Sequence, residues 1–166
     1  RTLHNRKYHD AVLAAAVLVA WKLLPGRPFH ADDEAIGQAY EELYAEKHDP
    51  VRIAAVRDNF AQVMARHDDS AKDLWWWCDA LFMAPPALAR LAKATGDKRY
   101  LDYMDREWWL TSSHLYDPAA HLYSRDASFL QQHEKNGAKL FWSRGNGWVL
   151  AGLARVLPYL PPDYPS

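Results

Sequence analysis

The chain has 166 residues, of which 49% are hydrophobic, 25% charged and 13% aromatic. This composition excludes a disordered or collagen-like chain. The length indicates that residues 1–166 form a single domain. Its net charge of −1 excludes a basic surface for nucleic acid or an anionic membrane, and its longest apolar run, 11–21, is too short to span a bilayer. One cysteine excludes an intramolecular disulfide and a cysteine-rich zinc site. We therefore expect neither a metal nor another cofactor.

The hydrophobic residues follow a helical period along almost the whole chain and predict an all-α fold. In chain order, the predicted helices are 8–24, 33–47, 50–66, 76–95, 98–113 and 146–160. Pro25 is expected to end the first helix and Gly96 the fourth, and Asp49 suits the start of the third. Pro85 and Pro86 lie in the middle of the fourth helix, where proline removes amide donors, and predict a break or a kink.

The segment 115–142 lacks the helical pattern and contains several turn signals, including Asn136-Gly137. Residues 122–124 and 139–142 are predicted to pair as a short hairpin across that turn. A segment of roughly 28 residues is too long for a simple connection, so we expect a functional loop.

The predicted helices form three successive pairs, which is typical of helical-hairpin arrays. Six helices can close a small bundle, and they are also half of a twelve-helix (α/α)6 barrel. Both architectures remain open at this point.

Tryptophan is abundant, with eight copies, and Trp75, Trp76 and Trp77 are consecutive. A helix buries only one stripe of its surface, so three consecutive tryptophans cannot all face one core. Some are expected to line a groove or a partner surface, and aromatic grooves commonly bind the apolar faces of sugar rings. The structural alternative is a large aromatic core.

Asp79 is the first candidate for chemistry, because it follows Cys78 and three tryptophans and precedes an apolar stretch. A carboxylate among apolar neighbours is partly desolvated, and desolvation raises the pKa of a carboxyl group. Such a group can act as a general acid near neutral pH. The alternative is an ordinary helix N-cap at Asp79.

The second candidate is the turn around Arg144, which Trp142 and Trp148 flank. The guanidinium of Arg144 offers a planar fork for a carboxylate, and the glycines on either side of Asn146 allow a ligand close to the backbone. Asn146 itself is expected to cap the sixth helix. The alternative is a structural turn with a surface arginine.

Further acidic and basic residues form weaker candidates. Asp32 and Asp33 raise each other's pKa if they face one site, but adjacent acids are also ordinary at helix starts. His30 beside them can transfer protons or have a structural role. Arg125-Asp126 in the long segment is either a ligand contact or a surface salt bridge.

Three segments resemble one enzyme family: residues 76–86 (WWCDALFMAPP), 141–148 (FWSRGNGW) and 30–38 (HADDEAIGQ). They are similar to the unsaturated rhamnogalacturonyl hydrolases of glycoside hydrolase family 105, which are related to the unsaturated glucuronyl hydrolases. The resemblance implies an (α/α)6 barrel, of which this chain would cover about half. It also implies that a 4,5-unsaturated uronic acid is removed from the non-reducing end of pectin fragments left by a lyase.

The resemblance also assigns roles to residues. Asp79 falls at the proton-donor position. Either Asp32 or Asp33, of which Asp33 is the preferred candidate, falls near the second active-site acid. Arg144 and Trp148 fall at substrate-contact positions. The other expected substrate contacts are Trp142, Trp77, His30, Asp32 and Arg125.

Two non-catalytic alternatives remain: a sugar-binding module without activity, and a helical domain whose tryptophans pack on another subunit. A half-barrel would expose apolar edges, so we expect another chain to cover them, most simply a second copy. The expected ligand is an unsaturated oligosaccharide, with no nucleic acid and no membrane. We expect a cytoplasmic protein, with the periplasm as the alternative.

Overall fold

The structure is a computed structural model that describes residues 6–24, 26–27, 29–66 and 74–165. Within these ranges the α-helices are α1 Arg6–Leu18, α2 Ala31–Glu34, α3 Gly37–Glu46, α4 Val51–Met64, α5 Ala80–Thr95, α6 Arg99–Leu115 and α7 Ser143–Val156. Two short strands, β1 Tyr116–Asp117 and β2 Leu122–Tyr123, pair antiparallel, and single 3-10 turns cover Ala127–Phe129 and Leu157–Tyr159. The predicted all-α class is confirmed.

Helix α5 is the centre of the fold. Helices α2, α3, α6 and α7 all pack against it, while α1 and α4 pack on α3. Eleven of its 16 residues are buried, because its sequence is apolar on all sides. Gly96 ends α5 in the left-handed conformation (φ +76°), as predicted.

Helices α3, α5 and α7 run side by side in the same direction. Near their starts, Gln38 Nε2 donates to Phe82 O at 2.8 Å. Further along, Glu42 accepts from Arg90 Nη2 at 3.2 Å and from Arg155 Nη2 at 2.9 Å. The N-terminal ends of the three helices therefore lie at one end of the molecule.

Pro85 and Pro86 do not break α5, so the predicted break is wrong. Pro86 has no amide to donate to Phe82 O, which lies one turn earlier. Gln38 Nε2 donates to that carbonyl at 2.8 Å and to Met83 O at 2.9 Å. The hydrogen bond lost inside α5 is thus replaced from α3, and the helix continues.

Gly152 of α7 packs against the carbonyl that Pro85 leaves free. A Cβ at position 152 would lie 2.2 Å from Leu81 O, so only glycine permits this approach. The two helix backbones are consequently in direct contact at the proline pair.

The first predicted helix ends early, at Leu18 rather than at residue 24. Ala20 and Trp21 adopt left-handed backbone angles (φ 53° and 58°), which are incompatible with a right-handed α-helix. The buried Trp21 ring then packs edge-on against Tyr40, with centroids 5.3 Å apart. Burial of this indole accounts for the early end of the helix, and Pro25, its predicted terminator, lies outside the described residues.

Other helix bounds also differ from the predictions. The second predicted helix is two helices, α2 and α3, separated by a turn. The fourth begins at Ala80 rather than at residue 76, because Trp77 forms a bridge with Asp126. The sixth begins at Ser143, so Asn146 lies inside α7 and does not cap it.

The predicted pairing of residues 122–124 with 139–142 is wrong. Strand β2 instead pairs with β1, because Asp117 Oδ1 accepts from two amides just after it, at 2.9 and 3.0 Å, and tightens the turn between the strands. The predicted turn at Gly137 is present (φ +85°), but it closes a separate bridge between His133 and Lys139.

Apolar side chains remain exposed at the two edges of the helical array. On α7, Leu150 is 68% exposed and borders a groove of about 570 Å³ between α6 and α7. On α1, Leu18 is 86% exposed. In the part of the chain that the structure describes, every helix is too short or too polar to cross a membrane.

Candidate active site

Asp79 lies immediately before α5 and is only 8% exposed. It holds the N-cap position, but its side chain makes no capping hydrogen bond, so capping does not explain it. Burial raises the pKa of Asp79, while a hydrogen bond from Cys78 Sγ at 3.4 Å and the charges of Arg144 and Arg125 oppose that rise. This is the environment of a carboxyl group that can donate a proton.

Gly145, in the first turn of α7, is packed directly against Asp79. A Cβ at position 145 would lie 2.6 Å from Cys78 Sγ and 3.3 Å from Asp79 Oδ1. Only glycine therefore allows α7 to begin beside the carboxyl group. Arg144 precedes Gly145 in the chain, so the same contact brings its backbone near Asp79.

A cleft of about 410 Å³ lies between the long loop and the start of α7. We call it the arginine cleft; its lining residues are Arg125, Phe129, Leu140, Phe141, Trp142 and Arg144. Arg144 Cζ lies 4.4 Å from the ring centroid of Trp142, and Arg125 Cζ lies 5.2 Å from that of Phe129. Each guanidinium thus packs on an aromatic ring, and its positive charge lowers the pKa of Asp79. Such a cleft suits a planar carboxylate. Asp79 itself lies outside the lining of the cleft.

The loop segment that carries Arg125 is fixed to the residues before α5. Cys78 N donates to Arg125 O at 2.9 Å, and Asp126 forms a bridge with Trp77. Asp126 Oδ1 also accepts from Ser128 N at 2.9 Å, which starts the following 3-10 turn. The predicted salt bridge between Arg125 and Asp126 exists at 3.6 Å, but Arg125 also faces the cleft.

Asp33 is the buried acid of the predicted Asp32-Asp33 pair. It is 4% exposed and accepts from Arg27 Nη2 at 2.6 Å. Its Oδ2 is buried without a hydrogen-bond partner among the described residues. Asp32 is 45% exposed, and its amide donates to His30 Nδ1 at 3.3 Å. His30 packs against Trp77, with ring centroids 4.9 Å apart.

The family model described as Glycosyl Hydrolase Family 88 matches residues 1–166. The chain belongs to glycosyl hydrolase family 88. Two relatives are named unsaturated 3S-rhamnoglycuronyl hydrolase. The protein from Formosa agariphila is 37% identical, over 99% of this chain and 48% of its own length. The protein from an Alteromonas species is 31% identical, over 88% of this chain and 40% of its own length.

Solved structures show the same fold. The chain superimposes on a family 88 glycosyl hydrolase from Bacteroides vulgatus with a TM-score of 0.87 and 30% identity, over 96% of this chain and 50% of that one. A family 105 glycoside hydrolase from C. acetobutylicum, at 21% identity, has a TM-score of 0.64 over 82% of this chain and 41% of that one. The predicted resemblance and the partial toroid are confirmed, and the family 88 chain spans about half the length of these relatives.

The tryptophans of the family 88 chain divide as their sequence predicts, with some buried and some exposed. Trp75 and Trp77 are buried, whereas Trp76 is 50% exposed and leans on Trp77 with centroids 4.6 Å apart. Trp148 is 39% exposed and packs against Phe82 at 4.6 Å. Of the predicted aromatic contacts, the arginine cleft includes Trp142; Trp77 and Trp148 lie outside its lining.

Sequence reasoning missed Glu34, the neighbour of Asp33 on α2. Glu34 is 2% exposed, and burial raises its pKa to about 8, although Asn59 Nδ2 donates to it at 3.1 Å. Three successive acids in one short helix were the available signal. Among the described residues, no group of three histidine, cysteine, aspartate or glutamate side chains is arranged to hold a metal ion.

Proposed function

We propose that this chain carries the acid–base centre of a hydrolase that removes a 4,5-unsaturated uronic acid from the non-reducing end of pectin (rhamnogalacturonan) lyase fragments. The observation that carries the proposal is a buried carboxyl group, Asp79, whose pKa responds to the charges of Arg144 and Arg125. The two arginines line one cleft, and Gly145, the neighbour of Arg144, packs against Asp79. Two relatives named unsaturated 3S-rhamnoglycuronyl hydrolase support an unsaturated uronide as the substrate.

In the first step, protonated Asp79 acts on the carbon–carbon double bond of the substrate. This bond is a vinyl ether, whose ring oxygen donates electrons. The double-bond electrons take the proton at C4, so a C4–H bond forms and an oxocarbenium-like centre remains at C5. Asp79 is left as a carboxylate, and the burial that raises its pKa favours the protonated form that this step requires.

In the second step, the Asp79 carboxylate takes a proton from water while the water oxygen bonds to C5. The product is a hemiketal at C5, which opens by breaking its bond to the ring oxygen. The former ring oxygen then forms part of a hemiacetal at C1, whose collapse releases the remaining sugar. One carboxyl group serves first as acid and then as base, unlike the two-carboxylate mechanisms of ordinary glycosidases.

Arg144 is the proposed partner of the uronate carboxylate, and Trp142 supports its guanidinium plane. The arginine charges lower the pKa of Asp79, against the larger effect of burial. A bound carboxylate would neutralise part of that charge. Substrate binding would therefore favour the protonated form of Asp79 when the proton is needed.

Asp33 is the proposed second acid. Arg27 holds one of its oxygens, and the other is buried without a partner among the described residues. That free acceptor can receive a hydrogen bond from a sugar hydroxyl or from water. We propose that it orients the substrate and that Asp79 transfers the protons.

The test is turnover of an unsaturated rhamnogalacturonan disaccharide, followed as loss of the ultraviolet absorbance of its double bond. We expect Asp79→Asn to lower kcat by about 10²–10⁴-fold, which is the usual rate enhancement from general acid–base catalysis. The matched control is Asp97→Asn, which changes an aspartate just after the opposite end of α5, paired with the exposed Arg99, and should leave most of the turnover. An Asp79→Asn variant with more than about a tenth of wild-type kcat would overturn the assignment.

The second candidate is a sugar-binding module without activity, which is favoured by the fact that the two arginines and the aromatic side chains form a cleft whose lining does not include Asp79. Titration of the wild-type chain with the same disaccharide, followed by NMR, distinguishes the two. Binding without loss of the double bond supports the module, and turnover supports the hydrolase.

A further inference from the structure

Asn146, in the second turn of α7, joins two separate parts of the fold through its side-chain amide. Its Nδ2 donates to Tyr123 O at 2.9 Å and to Trp142 O at 3.1 Å. Its Oδ1 accepts from Tyr123 N at 2.8 Å. All the partner atoms belong to the backbone, so one side chain fixes strand β2 to the start of α7.

The contact between Asn146 and Tyr123 lies close in the chain to the two arginines of the arginine cleft. Tyr123 lies two residues before Arg125, and Asn146 lies two residues after Arg144. The two guanidiniums line the same cleft from the two segments that Asn146 connects. Arg125 O also accepts from Cys78 N at 2.9 Å, which links the loop to the residue before Asp79.

We propose that Asn146 is a positioning residue that holds Arg125 and Arg144 at a fixed separation across the arginine cleft. Its effect on ligand binding rests on the proposed function, because a uronate is taken as the anion in the cleft. Asparagine suits this role because its amide has both a donor and an acceptor for the two backbone groups of Tyr123. Aspartate would lose both donated bonds and would direct negative charge at two carbonyl oxygens.

The direct test is amide hydrogen exchange in Asn146→Ala. Alanine favours helix, so α7 itself should not weaken. Because the hydrogen bond from Tyr123 N to Asn146 Oδ1 is lost, we expect at least about tenfold faster exchange at Tyr123 N, and faster exchange at Cys78 N. The amide of Leu88, in the core of α5, should keep its rate and so report an intact fold.

The matched control is Asn136→Ala in the same loop. Asn136 Oδ1 accepts from Ala138 N at 3.0 Å, a contact within its own turn. This variant should leave exchange at Tyr123 and Cys78 unchanged. Unchanged exchange at Tyr123 in Asn146→Ala, or an unprotected Tyr123 amide in the wild type, would overturn the proposal.

A ligand-binding cycle tests whether Asn146 acts through the cleft. The dissociation constant of the unsaturated disaccharide is measured for wild type, Asn146→Ala, Arg125→Gln and the double variant. When Arg125 is present, we expect Asn146→Ala to weaken binding about tenfold. When Arg125 is replaced by glutamine, the same substitution should weaken binding much less.

The outcomes of this cycle separate the two proposals. Equal effects of Asn146→Ala in both backgrounds, or no effect in either, would overturn the positioning role while the proposed function stands. A wild-type chain that binds no uronide would overturn the proposed function, and with it the role of Asn146 toward a ligand.

Discussion

Gly145 and Asp79 are in such close contact that a Cβ at position 145 would stand 3.3 Å from Asp79 Oδ1 and 2.6 Å from the neighbouring Cys78 Sγ. The glycine therefore determines how near α7 begins to the proposed acid. At Gly147, two residues later, an added Cβ would meet no atom within 4 Å. Gly145 and Gly147, two of the three glycines of α7, thus form a matched pair for mutation.

We predict that Gly145→Ala destabilises the chain by about 1–3 kcal/mol, because an overpacked side chain must displace its neighbours. Gly147→Ala should instead stabilise it by about 0.5–1 kcal/mol, because alanine favours helix. Urea unfolding of both variants gives the two free energies. Equal free-energy changes would contradict the close contact at Gly145.

Glu34 predicts a pH dependence of stability. Its pKa is about 8 in the folded chain, against 4.5 as its ordinary value, so the folded state binds more protons between these values. Where the folded state binds more protons, stability falls as pH rises. We therefore expect the wild type to lose stability between pH 5 and pH 8, at most about 1.4 kcal/mol per pH unit from this group.

Glu34→Gln removes the titration but keeps an oxygen to accept from Asn59 Nδ2. The variant should lose less free energy of unfolding than the wild type between the two pH values. Urea unfolding at both values measures the difference. A decline as steep as that of the wild type would show that Glu34 is not the titrating group.

Arg144→Lys should weaken binding of uronate-terminated substrates about tenfold, because an ammonium cannot reproduce the two parallel hydrogen bonds of a guanidinium. KM, or the dissociation constant from titration, measures the change. The matched control is Arg99→Lys, at an exposed arginine that pairs with Asp97. Unchanged KM and kcat in Arg144→Lys would exclude the proposed carboxylate contact.

A second copy of the chain should cover the exposed apolar edges on α1 and α7. Light scattering is then expected to give twice the 19.1 kDa of one chain. Leu150→Glu, which places a charge at a 68% exposed position beside the groove, should return the mass to that of one chain. A wild-type monomer that binds no apolar dye would contradict this prediction.

The presence of most helices and the main candidates for chemistry could be predicted from the amino-acid sequence alone. Helical periodicity reflects which side chains are buried, and burial is repeated locally at every turn, so the pattern alone predicts the elements. Gly96 and the turn at Gly137 were also predictable, because a left-handed backbone favours glycine wherever it occurs. Asp79 and Arg144 were found because their motifs are contiguous in the chain.

The pairing of groups that are distant in the chain is evident only in the folded molecule. Pro85 and Pro86 remain inside a helix because Gln38, over 40 residues earlier, donates to a carbonyl that they free. Arg125 and Arg144 line one cleft because the start of α7 packs against the loop, where Asn146 bonds to the backbone of Tyr123. The physical reason is the same in each case: a hydrogen bond or a desolvated charge depends on partners brought near by folding, and the local sequence does not specify those partners.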